Sequence, residues 1–86
     1  MHSFDTILLQ PKKAMAELIQ NLPLNDIALA LKFEEQDIKD YFFENMNEEQ
    51  NSILRALINE IDEATPHDSK KAQFYIMEVL ENKEKG

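Results

Sequence analysis

The chain has 86 residues, the size of one small domain, and 43% of them are hydrophobic, which excludes a wholly disordered polypeptide. Its only glycine is Gly86, so a β-rich fold with many tight turns is excluded, and it has no cysteine to form a disulfide or a thiolate metal site. The formal net charge of −8 disfavours nucleic acid as a partner and suits a basic protein surface, unless the acidity only keeps the domain soluble.

The first elements are a lead-in segment over residues 1–9 and a helix that follows it. The lead-in is apolar enough for one short extra helix packed on the bundle. Helix 1 is predicted from Pro11 to about Asn21, because proline has no N–H to leave unpaired in the first turn. Pro23 ends this helix by disfavouring a helical residue before it. The apolar side chains predicted to pack here are Phe4, Ile7, Leu8, Leu9, Met15, Leu18, Ile19 and Leu22.

Helix 2 is short and strongly apolar. It is predicted to begin after Asn25 or Asp26, since either side chain can cap the free N–H groups of a helix start. It is predicted to end near Lys32, where a cation suits the negative end of the helix dipole. The side chains expected to face inward are those of Leu24, Ile27, Ala28 and Leu31.

Helix 3 is predicted from roughly Glu35 to Glu44, with acidic residues near its start and one apolar face. That face consists of Ile38, Tyr41, Phe42 and Met46. Because three consecutive aromatic residues cannot all face the core, we expect Phe43 to pack against a neighbouring helix. Exposure of Phe43, Phe33 or Phe74 would instead mark a contact surface.

Helix 4 is predicted to begin after Asn47, which has capping-box spacing to Gln50. Acidic residues at its C-terminal end oppose the helix dipole, so we expect that end to fray. Helix 5 is predicted to begin near Thr65-Pro66 or Asp68, and residues 84–86 to be disordered. The apolar faces predicted for these helices comprise Ile53, Leu54, Leu57, Ile58 and Ile61, then Ala72, Tyr75 or Ile76, Val79 and Leu80.

These patterns predict an all-α fold: a compact five- to six-helix bundle that forms a single domain over residues 1–86. The sequence shows no arrangement of side chains that is typical of a catalytic site. Neither His2 nor His67 has a second metal-binding residue at the spacing of a metal site. Each is therefore expected to be exposed to solvent or to cap a helix. Adjacent acids such as Glu48 and Glu49 point in different directions on a helix and form no acid–base pair. We therefore expect no enzyme activity, no cofactor and no metal.

A resemblance to a known family is carried by five short segments in order: Phe4-Asp5, Ile27-Ala28-Leu29-Ala30-Leu31-Lys32, Asn45-Met46, Ile53-Leu54-Arg55 and Ala72-Gln73. In this order and spacing the chain resembles the C-terminal domain of the bacterial flagellar motor switch protein FliG, over essentially its whole length. That family has an L-A-L-A-L-K-G helix and an N-M-S that opens the next long helix. An M-L-R or I-L-R segment follows, and then a final helix with E-A-Q or E-Q.

The resemblance implies a six-helix subdomain in the cytoplasmic rotor ring, peripheral to the inner membrane as part of the flagellar basal body. It implies protein partners: the cytoplasmic loop of a MotA-like stator protein, and other rotor subunits of the FliG and FliM types. No contact with nucleic acid is expected from the acidic net charge, and no insertion into the membrane is expected because no apolar run approaches the roughly 18 residues of a membrane span. A FliG chain also has N-terminal and middle domains, so the resemblance implies that this chain is the last third of a longer protein or an excised piece of one.

The family's charged contact residues are only partly present. Lys32 matches the basic residue that ends the apolar helix and is the only member of the family's charged set still in place, while Arg55 matches the arginine of the I-L-R landmark. Elsewhere the family's arginine after N-M-S falls at Glu49, its two acids after the I-L-R segment fall at Ala56 and Leu57, and its arginine after a Gly-Pro turn falls at Thr65. That Gly-Pro becomes Asp62-Glu63, and the glycine after the lysine becomes Phe33.

Two functions fit these departures. One is a divergent FliG-like rotor component that contacts the stator differently, with the six predicted partner-binding residues Lys32, Glu49, Arg55, Ala56, Leu57 and Thr65. The other is an acidic helical adaptor that has the fold without a torque role. Leu57 provides an apolar contact in the first case, unless it simply faces the core. As an exposed contact, Lys32 is expected to change stability by no more than about 0.5 kcal/mol when replaced by alanine.

Overall fold

Short connections divide the chain into one 3₁₀ helix and five α-helices in the computed structural model. The structure describes residues 4–61 and 63–85, without the side chains of residues 5 and 83–85. Within these ranges the all-α prediction is confirmed. The elements are a 3₁₀ helix Phe4–Leu9, α1 Lys12–Asn21, α2 Leu24–Leu31, α3 Gln36–Glu44, α4 Glu48–Glu60 and α5 Pro66–Lys85.

Helix α2 lies at the centre and packs against both α4 and α5. Its sequence is apolar on nearly every side, and such a helix is stable in water only when other elements surround it. Ile27, Ala28, Ala30 and Leu31 are accordingly buried. The surrounding helices each contribute one apolar stripe to the same core, as Met15, Leu18 and Ile19 of α1 illustrate.

The predicted short helix before α1 is confirmed as the 3₁₀ helix. Phe4 and Ile7 are buried, and the Phe4 ring stacks on that of Phe42 with centroids 6.1 Å apart. The predicted packing of Leu8 and Leu9 is wrong, since both side chains are exposed. Because a 3₁₀ helix has three residues per turn, only one side of this six-residue segment faces the core.

Helices α1 and α2 start at other residues than predicted, because in each the carbonyl of the preceding proline accepts the first helical hydrogen bond. Pro11 lies just before α1, and its carbonyl accepts the first helical bond from the Met15 N–H. Helix α2 begins at Leu24 rather than after Asn25 or Asp26. The Pro23 carbonyl accepts from the N–H groups of Asp26 and Ile27 at 3.1 and 3.3 Å, so the polar residues lie inside the first turn.

Helix α4 begins at Glu48 as predicted, and its capping box is confirmed. The Asn47 side chain accepts from the Gln50 N–H at 2.8 Å, while the Gln50 side chain accepts from the Asn47 N–H at 3.1 Å. The prediction that Ile53 belongs to the buried face is wrong, because only the Leu54 side of α4 is turned fully inward. Leu57, Ile58 and Ile61 are partly buried against the core.

Helix α5 buries Ile76 rather than Tyr75, which resolves the alternative left by the sequence. Helix α5 continues to Lys85, and the disorder of residues 84–86 stays a prediction. Ala72 and Leu80 lie on the buried stripe, and Val79 is partly buried, as predicted. The parts of the predictions that concern residues 1–3, Asp62 and Gly86 lie outside the described residues.

Candidate protein-contact site

Lys32 has a partner inside the domain. Its Nζ atom donates a hydrogen bond to the Ile58 carbonyl of α4 at 2.9 Å, and the side chain is partly buried. Ile58 belongs to the last turn of α4, where carbonyl groups lack helical partners. The cation therefore stabilises the negative end of α4, whereas the sequence assigned it to the end of α2.

The end of α2, which carries Lys32, is held by side chains of α5. Ser69 is only 2% exposed, and its hydroxyl donates to the Leu29 carbonyl at 2.7 Å and the Ala30 carbonyl at 3.1 Å. Gln73 donates to the Ala30 carbonyl at 2.9 Å and to the Glu34 carboxylate at 3.1 Å. These bonds satisfy carbonyls left over at the α2 C-terminus and set the position from which Lys32 reaches α4.

Arg55 lies on α4 against an aromatic ring of α3. Its guanidinium carbon is 4.3 Å from the centre of the Phe43 ring, a cation–π geometry. Phe43 is partly buried against the core, so the prediction that it packs against a neighbouring helix is confirmed. Both side chains line a shallow groove whose acidic residues are Asp40, Glu44 and Glu48. Arg55 thus helps join α3 to α4.

Thr65 begins α5 through a reciprocal cap with Asp68. The Asp68 N–H donates to the Thr65 hydroxyl, and the Thr65 N–H donates to the Asp68 carboxylate, each at 3.2 Å. The bond from the Thr65 backbone lowers the pKa of Asp68 most, followed by the bond to the Thr65 side chain. The threonine at this position therefore has a local structural task. The exposure predicted for His67 is confirmed, whereas His2 lies outside the described residues.

Glu49 and Ala56 lie seven residues apart on α4, which places them on the same side of the helix. Both are exposed, and Glu60 continues the row toward the end of the helix. Ile53 lies beside them with 43% of its surface accessible. We call Glu49, Ile53, Ala56 and Glu60 the outer face of α4. Leu57 is partly buried against the core, which favours the packing alternative over an apolar contact ridge.

The six predicted partner-binding residues differ in their surroundings. Lys32, Arg55 and Thr65 each make contacts within the domain, and Leu57 packs inward. Glu49 and Ala56 are the two that share an outward face of one helix. Sequence reasoning missed Ser69 and Gln73, which fix the α2 end. Gln73 belongs to the Ala72-Gln73 landmark, but its role was not predicted, and Ser69 carried no signal, because the backbone carbonyls that both side chains bond lie about 40 residues away.

The short apolar helix α2 lies at the centre, and the capped helix α4 packs against it. The chain matches the family described as FliG C-terminal domain over residues 1–86. It belongs to that family. The resemblance read from the sequence is thereby confirmed, and no curated protein matches the chain.

Membership of the FliG C-terminal domain family indicates a role in the flagellar motor switch, which serves motility and chemotaxis. The family consists of structural motor components rather than enzymes. None of the helices in the described part of the chain is long and apolar enough to cross a membrane. Among the same residues, no group of His, Asp or Glu side chains is arranged to hold a metal ion.

Proposed function

We propose that this chain is a non-enzymatic rotor component of the flagellar motor switch and contacts the stator through the outer face of α4. Its place is at the cytoplasmic side of the inner membrane, within the basal body, beside other rotor subunits of the FliG and FliM types. The observation that carries the proposal is the exposure of Glu49 and Ala56 on one side of a helix that is fixed at both ends.

Fixation of α4 supports a role in transmitting force. Asn47 and Gln50 close its first turn by the capping box, and Lys32 bonds to its last turn. Leu54 anchors the middle of the helix in the core. A surface on a helix held at both ends moves with the domain, because little local rearrangement is available to absorb a load.

The chemistry of this face differs from the family's charged pattern. Ala56 stands where the family has an acid, and Glu49 stands where it has an arginine. With Ile53 exposed beside them, the face is partly apolar. Contact with a MotA-like loop therefore depends more on apolar burial and less on paired charges. We expect such a contact to respond weakly to salt, since charge pairs at an exposed surface are screened and apolar burial is not.

A second function, that of an acidic helical adaptor without a torque role, is favoured by the internal bonds of Lys32 and Thr65. Residues that the family uses for contact are here engaged in the fold. In an adaptor the same bundle binds a basic protein surface, and the outer face of α4 has no task in rotation.

The experiment that separates the two functions uses two matched substitutions in the native host. Ala56→Lys alters the outer face of α4, and Ala16→Lys makes the same change at an exposed position of α1. The fluorescently tagged protein is imaged for basal-body localisation, and swimming speed is tracked. We expect tagged protein in basal bodies, slower swimming with Ala56→Lys and unchanged swimming with Ala16→Lys.

Melting temperatures of both variants provide the control for folding, since each replaces an exposed helical alanine and should alter stability by no more than about 0.5 kcal/mol. Normal swimming with Ala56→Lys would refute the stator contact at this face. Absence of the tagged protein from basal bodies would refute the rotor role and leave the adaptor.

A further inference from the structure

A groove at the start of α3 exposes apolar side chains next to carboxylates. Its walls come from the 3₁₀ helix and from the turn between α2 and α3, and its lining residues are Leu8, Phe33, Glu34, Glu35, Asp37 and Ile38. We call this the α3 groove. Leu8 is 41% exposed and Phe33 is 50% exposed, and Leu9, next to Leu8 in the sequence, is 81% exposed.

Two large apolar side chains are exposed at this groove. Of the six that are exposed in the described part of the chain, Leu8 and Phe33 both line it. Single exposed apolar residues are ordinary, but a cluster around a concave surface marks an interaction site. The α3 groove meets this condition, because Leu8 and Phe33 form part of the same lining.

The fold itself does not explain Phe33. The residue lies outside the hydrophobic core, in the turn after α2. No residue in the described ranges has a positive φ, so the turn does not need the glycine of the family pattern. A small polar residue would serve the backbone here equally well and would avoid exposing an aromatic ring to water.

Charge determines which partner suits the groove. Residues 34–49 contain seven carboxylates and a single cation, Lys39. Asp37, Asp40 and Glu44 are exposed and spaced three and four residues apart, so they form a row along α3 that begins at the groove. This field repels nucleic acid, anionic membranes and a second copy of the same acidic surface. It attracts a cationic protein segment.

We propose that the α3 groove binds an amphipathic segment of another protein. An apolar side chain of that segment inserts between Leu8 and Phe33, and its flanking Lys or Arg residues lie against Glu35, Asp37 and Asp40. The apolar anchor supplies affinity, and the acidic row along α3 sets the orientation. This surface is built from α3 and the 3₁₀ helix and does not depend on the stator contact proposed for α4.

The test uses an 18-residue amphipathic peptide of leucine and lysine with one tryptophan on its apolar face. Because the chain contains no tryptophan, the peptide's fluorescence reports binding directly. Phe33→Ala is compared with Phe74→Ala, the same change at a phenylalanine that is 61% exposed on α5. We expect Phe33→Ala to raise the Kd by about fivefold or more, as loss of an anchor residue does, and Phe74→Ala to leave it unchanged.

A second pair of variants tests the charge. Glu35→Gln removes a carboxylate of the groove, and Glu78→Gln makes the same change at an exposed position of α5. At low salt we expect Glu35→Gln to raise the Kd by about twofold to fourfold, the size of one exposed charge contact, and Glu78→Gln to have no effect. At high salt the difference should disappear, because exposed charges are then screened. Circular dichroism of all four variants confirms that they fold.

Equal weakening by Phe33→Ala and Phe74→Ala would overturn the proposal. So would equal binding of a peptide in which glutamate replaces every lysine. If sedimentation shows a dimer that Phe33→Ala dissociates, the occupant is a second copy of the chain and the proposed partner is wrong. None of these outcomes depends on swimming, so the α4 proposal stands or falls separately.

Discussion

Replacement of Lys32 by methionine tests whether the cation stabilises the end of α4. The substitution keeps an unbranched stem of similar length and removes the ammonium group. The Ile58 carbonyl then loses a partner that donates at 2.9 Å, and the last turn of α4 loses the positive charge at its negative end. Because the group is only partly buried, water can replace some of the lost bonding.

The magnitude follows from these two contributions. A hydrogen bond to a charged group is worth about 1.5–3 kcal/mol, and partial exposure reduces this value. A charge at a helix end contributes about 0.3–1 kcal/mol. We therefore expect Lys32→Met to lower the free energy of unfolding by about 1–2 kcal/mol. For a domain of this size, this corresponds to a decrease in melting temperature of about 4–16 °C.

Thermal and urea unfolding, followed by circular dichroism at 222 nm, measure the change. The matched control is Lys39→Met, because Lys39 is also partly buried but lies in the middle of α3 rather than at a helix end. We expect the control to lose no more than about 0.5 kcal/mol, the value of a helical charge pair. Equal melting temperatures for the two variants would refute the view that Lys32 caps α4, and would restore the interpretation of an exposed contact residue.

Three further predictions concern the core, a buried polar group and pH. Leu54→Ala should lower the free energy of unfolding by about 2–5 kcal/mol in urea titrations, and the adjacent Ile53→Ala should lower it by less than about 1 kcal/mol. Similar losses for the two variants would contradict the finding that Leu54 faces the core and Ile53 does not. Ser69→Ala should cost about 0.5–1.5 kcal/mol by removing a buried hydrogen bond to the end of α2, whereas Ser52→Ala on the exposed side of α4 should have little effect. An unchanged free energy of unfolding for Ser69→Ala would mean that this bond does not hold α5 against α2. The folded-state pKa of Asp68 lies below its ordinary value of 3.8, so its stabilising contribution is complete above that value and is lost as pH falls through the lowered one. Asp68→Asn should therefore weaken the decrease in melting temperature below about pH 4, and an unchanged decrease would exclude this contribution.

Local rules were sufficient for the elements of the fold. The stripe of Met15, Leu18 and Ile19 in α1 has the period of a helix with one buried face, and the structure buries all three. The capping box at Asn47 involves residues only three positions apart, so its chemistry is contained in a short segment. The family resemblance was found for the same reason, because its landmarks are mainly helix starts and buried stripes.

Local rules failed where two patterns compete over a few residues. At the start of α2, the polar residues Asn25 and Asp26 suggested a cap, but the carbonyl of Pro23 begins the helix earlier. Partial burial of Leu24 against the core favours this longer helix. The apolar pattern of α4 was wide enough to include Ile53 in the predicted buried face, but the packing leaves this residue outside the core. Helix propensity and hydrophobic pattern are properties of a single segment. Packing against neighbouring helices decides where the helix ends and which residues its buried face includes.

The candidate site was the least predictable part, because it depends on contacts far apart in the chain. Nothing in the sequence near Lys32 indicates that its ammonium group reaches the carbonyl of Ile58, 26 residues away. Ser69 likewise looks like an ordinary polar residue in the first turns of α5. Its burial against the end of α2 appears only when the helices are packed together.

Sequence alone determined the helical class, most of the buried stripes, the cap at Asn47 and the family, since each depends on periodicity or on groups a few residues apart. Only the tertiary structure decided which groups donate hydrogen bonds to the carbonyls at the C-terminal ends of α2 and α4. With no internal glycine to end them in a left-handed turn, these helices have carbonyl groups that side chains of Lys32, Ser69 and Gln73 satisfy from elsewhere in the chain. Those long-range bonds give the predicted contact lysine a structural task and leave Glu49 and Ala56 facing outward.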